Sequence, residues 1–130
     1  MKEPAMLKIV KNKTLDSNVL ENLQQLGGPD DEKPFLDEMI DTFMAHTPQL
    51  IAELKTALEK NDVRAIEHFS HKLKGFGRNL GAVTLSQICD VIETNCASID
   101  KAEVPYLVVD LENSYQEAVN ALVKDWRTAA

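Results

Sequence analysis

The chain has 130 residues, a length that suits one domain and leaves little room for a catalytic domain plus a separate regulatory one. Hydrophobic residues make up 44% and charged residues 27%, enough to build a core and unlike a disordered chain. A formal net charge of −7 argues against a nucleic acid backbone as partner. From the N-terminus, residues 15–26 carry apolar side chains at helical spacing up to Gly27-Gly28-Pro29, a strong stop that predicts one short helix. Pro34 then suits a first turn, and Leu36, Met39, Ile40, Phe43, Leu50, Ile51, Leu54 and Leu58 continue one stripe to Asn61, predicting a long helix. Pro48 should kink or briefly interrupt it near His46 and Thr47.

Asp62 is placed to cap a third helix in which Ile66, Phe69, Leu73 and Leu80 recur on one face. Beyond Gly81, Thr84 can cap a fourth segment with Leu85, Ile88, Cys89, Ile92, Cys96 and Ile99 along one side. A last helix begins around Glu103-Val104-Pro105 and carries Leu107, Val108, Leu111, Tyr115, Val119, Leu122 and Trp126. Strand-like alternation is nowhere sustained. The economical packing is all-α: an antiparallel four-helix bundle with a short additional N-terminal helix, one domain over residues 1–130 with its helical core at about 15–126.

No apolar run approaches the roughly 20 residues that span a bilayer, and the start lacks the hydrophobic segment of a signal peptide. A cytoplasmic location without membrane association is therefore the default. The two cysteines, Cys89 and Cys96, are seven positions apart, about 10.5 Å along a helix and beyond the roughly 7 Å Cα limit for a disulfide. They read as two reduced residues packed in the core.

The third helix carries the chemistry. With Ile66, Phe69 and Leu73 inward, His71 points outward, with Lys74, Gly75 and Arg78 following on the same side and Glu67 one turn earlier. Between positions 68 and 80 stand Lys72, Lys74 and Arg78 and no acid, a local basic strip on an acidic chain. A neutral, solvent-facing imidazole is a competent nucleophile, and Lys74 one turn away is suited to stabilise the charge of a phosphoryl group. Gly75 costs about 1 kcal/mol of helix propensity relative to Ala, which makes sense if another protein's active site must approach closely. The plain alternative is a solvated helix face with a tolerated glycine.

Other chemistries fit less well. His68 and His71 lack the further ligands of a metal site and do not form H-E-x-x-H, so His68 reads as a flanking residue. Ser70 has neither an orienting acid nor a nucleophile elbow. The aromatic residues lie in apolar stripes, where packing accounts for them, and nothing suggests an intrinsic cofactor.

The run Ser70-His71-Lys72-Leu73-Lys74-Gly75-Phe76-Gly77-Arg78-Asn79-Leu80-Gly81-Ala82, followed by Leu85 and Cys89 through Glu93, resembles the signature of histidine-containing phosphotransfer (HPt) domains. The resemblance in helix order covers roughly residues 15–126. It implies a four-helix bundle with His71 as phosphoacceptor, Lys74 as charge-stabilising lysine, Gly75 as clearance glycine and Gly81-Ala82 as the small pair where the helix ends. It further implies exchange of a phosphoryl group with response-regulator receiver domains, which supply Mg2+, and a hybrid sensor histidine kinase upstream. No autonomous ATP-dependent kinase activity is expected, and a monomeric free-standing shuttle is the simplest form. The alternative is an HPt-like binding module or phosphate sink without onward transfer. Many members have a small residue after the glycine. Here Phe76 stands there, facing either the core or a partner, with Gly77 restoring some space.

Overall fold

A computed structural model describes residues 14–27 and 33–128. The N-terminal stretch, the Gly28-Pro29 part of the expected stop and the last two residues lie outside the described residues. The helices are α1 (Ser17–Gln24), α2 (Phe35–Lys60), α3 (Val63–Asn79), α4 (Val83–Thr94) and α5 (Val104–Asp125), with a 3-10 turn at Lys101–Glu103 before α5. Helices α2–α5 form the four-helix core, α1 is the short N-terminal addition, and the described residues contain no sheet. Short connections make successive core helices neighbours, and α3 packs most extensively on α4 and then on α2. The apolar stripes meet in one buried cluster that includes Leu20, Ile40, Phe43, Leu54, Ile66, Leu73, Ile88 and Leu107.

The helix ends follow from side-chain chemistry. Asp16 caps α1 by accepting the Asn18 N–H at 3.0 Å. Asp62 acts twice: its N–H donates to the Ala57 carbonyl at the end of α2, and its carboxylate accepts the Ala65 N–H at 3.2 Å to start α3. Between them Asn61 takes the left-handed conformation, φ 54°, the usual close of a helix by glycine or asparagine.

Three expectations are corrected. Helix α2 is continuous through Pro48, so of the kink or brief interruption expected near His46 and Thr47 the interruption does not occur. Pro48 cannot donate to the Met44 carbonyl, but the Tyr115 hydroxyl of α5 reaches that oxygen at 3.4 Å and supplies a donor from another helix. Thr84 does not cap α4. It is buried in the first turn, Ala82 holds the cap position, and the Val83 N–H donates to the Thr14 carbonyl at 3.0 Å. The chain before α1 thus satisfies one of the N–H groups that a helix start leaves without an intrahelical partner. Finally, α4 closes at Thr94, so Cys96 and Ile99 follow the helix while still packing against the core. Both cysteines are free, Cys89 buried and Cys96 partly so.

No helix of the described residues is long and apolar enough to cross a membrane.

Candidate functional site

The buried face of α3 is Ile66, Ser70, Leu73 and Gly77, one residue per turn, and this register turns His71 outward with its side chain 71% exposed. Ser70, next to it, is fully buried and donates to the Ile66 carbonyl at 2.6 Å. Its hydroxyl is consumed by the helix and takes no part in surface chemistry.

Helix α4 runs alongside and presents two carboxylates to the same spot. His71 Nδ1 lies 2.7 Å from Glu93 Oε2. Glu93 Oε1 accepts from Lys74 Nζ at 2.5 Å, and Asp90 Oδ1 accepts from the same ammonium at 3.2 Å. One carboxylate therefore binds the histidine with one oxygen and the lysine with the other. Lys74 lies under this pair, its side chain only 13% exposed. The basic strip expected from the sequence is corrected accordingly: Lys74 is folded against α4, and two carboxylates stand beside its single positive charge.

The ionisation of the site follows this geometry. The hydrogen bond from Lys74 holds the Glu93 carboxyl below its ordinary value, against an opposing effect of burial. The bond to Glu93 raises Lys74, likewise against burial, with Asp90 adding to the rise. A carboxylate accepts hydrogen bonds and donates none, so the His71 proton belongs on Nδ1 and the lone pair of the neutral ring on Nε2. Behind the cluster, burial pushes the Cys89 thiol up to about 12, leaving it protonated and inert.

The remaining residues singled out from sequence fall into two groups. His68 is exposed, sets its ring edge-on to Phe69, and borders the same shallow hollow as His71, Glu67 and Glu93. Lys72 and Arg78 are exposed, and among the described residues no hydrogen bond or ion pair joins either to His71. Arg78 instead lines a groove of about 680 Å³, which runs past Asp16 and Gln87 and shares only Asp90 with the site. Among the described residues no three His, Cys, Asp or Glu side chains are gathered as ligands for a metal ion.

The three glycines of the motif differ in kind. A Cβ placed on Gly75 would meet nothing within 4 Å, so internal packing gives no reason for glycine on this exposed turn. On Gly77 a Cβ would lie 2.7 Å from Ser86 Oγ. That glycine serves the approach of α3 to α4. Gly81 has φ +64°, and its Cβ would stand 2.9 Å from the Asp16 carbonyl. It ends the α3 segment and admits the chain before α1, whose Asp16 N–H donates to the Gly81 carbonyl at 2.7 Å. Phe76 is partly buried against the core, its ring 6.3 Å from that of His46 on α2.

Glu93 and Asp90 are the members of this cluster that the sequence reading left without a role. The available signal was their i, i+3 spacing on the outer side of a predicted helix that follows the histidine helix closely.

Comparison with known proteins agrees with this architecture. The Hpt domain family matches residues 38–125. Multistep phosphorelay regulator 1 of Schizosaccharomyces pombe is 26% identical over 125 residues, covering 92% of this chain and 42% of that protein. Pseudo histidine-containing phosphotransfer protein 2 of Oryza sativa subsp. japonica is 28% identical over 81 residues, covering 61% of this chain and 51% of that protein. The chain thus spans about half, or less, of the length of these curated relatives. The crystal structure of histidine-containing phosphotransfer protein B (HptB) from Pseudomonas aeruginosa PAO1 superposes with a TM-score of 0.74 at 26% identity, covering 88% of this chain and 95% of that one. With the family match extending over most of the chain, and with the same fold in a solved relative, this protein belongs to the Hpt domain family.

Proposed function

We propose that this chain is a phosphorelay intermediate: His71 accepts a phosphoryl group from the aspartyl phosphate of one receiver domain and passes it to another. The observation that carries this reading is the Nδ1 contact with Glu93 at 2.7 Å, which leaves Nε2 as the nucleophilic nitrogen of an exposed ring. Nε2 attacks phosphorus in line. The N–P bond forms as the P–O bond to the donor aspartate breaks, and the electron pair leaves with that carboxylate. Nδ1 keeps its proton, and Glu93 stabilises the positive charge that the ring gains. Lys74 offsets the phosphoryl charge.

The receiver supplies the acidic pocket and Mg2+, and docking supplies most of the alignment. Gly75, bare on the outer surface, provides clearance for the receiver. The similarity to Multistep phosphorelay regulator 1 supports a place in a multistep relay with a hybrid sensor kinase upstream. In this reading the HPt-like domain acts as a monomer in the cytoplasm.

The similarity to a protein named as a pseudo phosphotransfer protein favours a second reading, in which the bundle binds receivers or stores phosphate without onward transfer. The first test incubates wild type and His71→Gln with phosphorylated receivers and Mg2+, then maps acid-labile, base-stable phosphate by mass spectrometry. Wild type is expected to carry it on His71, and the variant to carry none at an unchanged melting temperature. Phosphate retained by the variant refutes the assignment.

A further inference from the structure

Lys74 has more negative partners than it needs. Glu93 alone neutralises it at 2.5 Å and also holds His71. Asp90 adds a second carboxylate at 3.2 Å that touches neither the histidine nor, among the described residues, any other cation through an ion pair. With two carboxylates on one ammonium, an arriving phosphoryl group meets an excess of negative charge. To meet that group, Lys74 must give up one of the two contacts. The longer bond, to the half-exposed Asp90 (53% against 21% for Glu93), is the one that yields.

We propose that Asp90 is a positioning residue that competes with the phosphoryl group for Lys74, holding phosphohistidine at His71 in a state that gives its phosphoryl group up readily. The inference rests on phosphorylation of His71 and deepens that reading. In onward transfer the N–P bond breaks, its electron pair returns to Nε2, and an O–P bond forms on the receiver's carboxylate. Asp90 favours this direction by reclaiming Lys74 as the phosphoryl group departs. Its effect works through the lysine and requires no contact between Asp90 and phosphorus.

The test uses phosphoramidate, a small donor that needs no docking. Its P–N bond breaks, ammonia leaves with the electron pair, and the N–P bond to His71 Nε2 forms. Wild type, Asp90→Asn and Asp90→Glu are each made with Lys74 and with Lys74→Met, and labelling and subsequent loss are followed by 31P NMR and intact mass. With Lys74 present, Asp90→Asn is expected to take up phosphate faster and lose it more slowly, the two changes multiplying to about fivefold. That is the factor one unit charge contributes a few ångströms away at a water-exposed position. Asp90→Glu should restore wild-type rates, and in the Lys74→Met background Asp90→Asn should change nothing. Unchanged rates in Asp90→Asn, or an equal change without Lys74, overturn the proposal while leaving the phosphoacceptor reading intact. Failure of wild-type His71 to label overturns both.

Discussion

Gly75→Ala separates stability from function at a single position. The residue lies inside a 17-residue helix, where glycine costs about 1 kcal/mol relative to alanine. A Cβ there meets nothing within 4 Å, so no steric term offsets the gain, and no apolar area is buried to add to it. The variant should therefore be more stable by about 0.8–1 kcal/mol, raising the melting temperature of a chain this size by about 3–5 °C. Gly77→Ala, two residues along, should do the reverse. Its Cβ would sit 2.7 Å from Ser86 Oγ, which is itself bound to the Ala82 carbonyl at 2.7 Å. Overpacking of about 1–3 kcal/mol outweighs the propensity gain there. Thermal and urea unfolding followed by circular dichroism measure both. Receiver-dependent transfer is then compared with labelling by phosphoramidate. Gly75→Gln, which extends a side chain into the clearance, should slow the receiver reaction by up to about 100-fold through misalignment while leaving the small-donor reaction unchanged. A lower melting temperature for Gly75→Ala, or a wild-type receiver rate in Gly75→Gln, would refute the clearance argument.

The depressed Glu93 carboxyl contributes stability that is complete above its ordinary value of 4.5 and is lost as the pH falls through the lower folded value. Unfolding free energies measured from about pH 6 to about pH 3 should therefore fall more steeply in wild type than in Glu93→Gln, and parallel curves would count against the Lys74–Glu93–His71 linkage. Cys89, buried and raised to about 12, should resist iodoacetamide in the native state while Cys96 reacts; mass mapping showing equal labelling would contradict this packing. Gly81→Ala should cost about 1–3 kcal/mol because φ is +64° and the new Cβ crowds the Asp16 carbonyl, and an unchanged urea midpoint would show that the chain before α1 does not press on this turn.

Much of this architecture was legible in the sequence because it depends on near neighbours. The 3.6-residue stripes place Ile66 and Leu73 inward and hence His71 outward, and Asp62 caps α3 through a residue three positions away. The misreadings share the opposite property. Continuity of α2 at Pro48 involves Tyr115, and the start of α4 involves Thr14, partners that no local pattern names. The close approach of Ser86 to Gly77 is likewise set by the neighbouring helix and has no local signal. The charge of the site was misjudged for the same reason. The run around His71 is basic in sequence, but Lys74 finds its carboxylates 16 and 19 residues later. Helical spacing indicates which way a side chain points, whereas the neighbouring helix determines what it meets.

A pulse-chase across three proteins tests the central claim most directly. A receiver labelled on its aspartate is mixed with this chain and Mg2+, the receiver is removed, and a second, unlabelled receiver is added while label is followed on each species. The account predicts label on His71 Nε2 of the intermediate, identified by 31P NMR, followed by its loss to the second receiver, with neither step in His71→Gln. Label that stays on the chain through the chase, or that reaches the second receiver without His71, would contradict it.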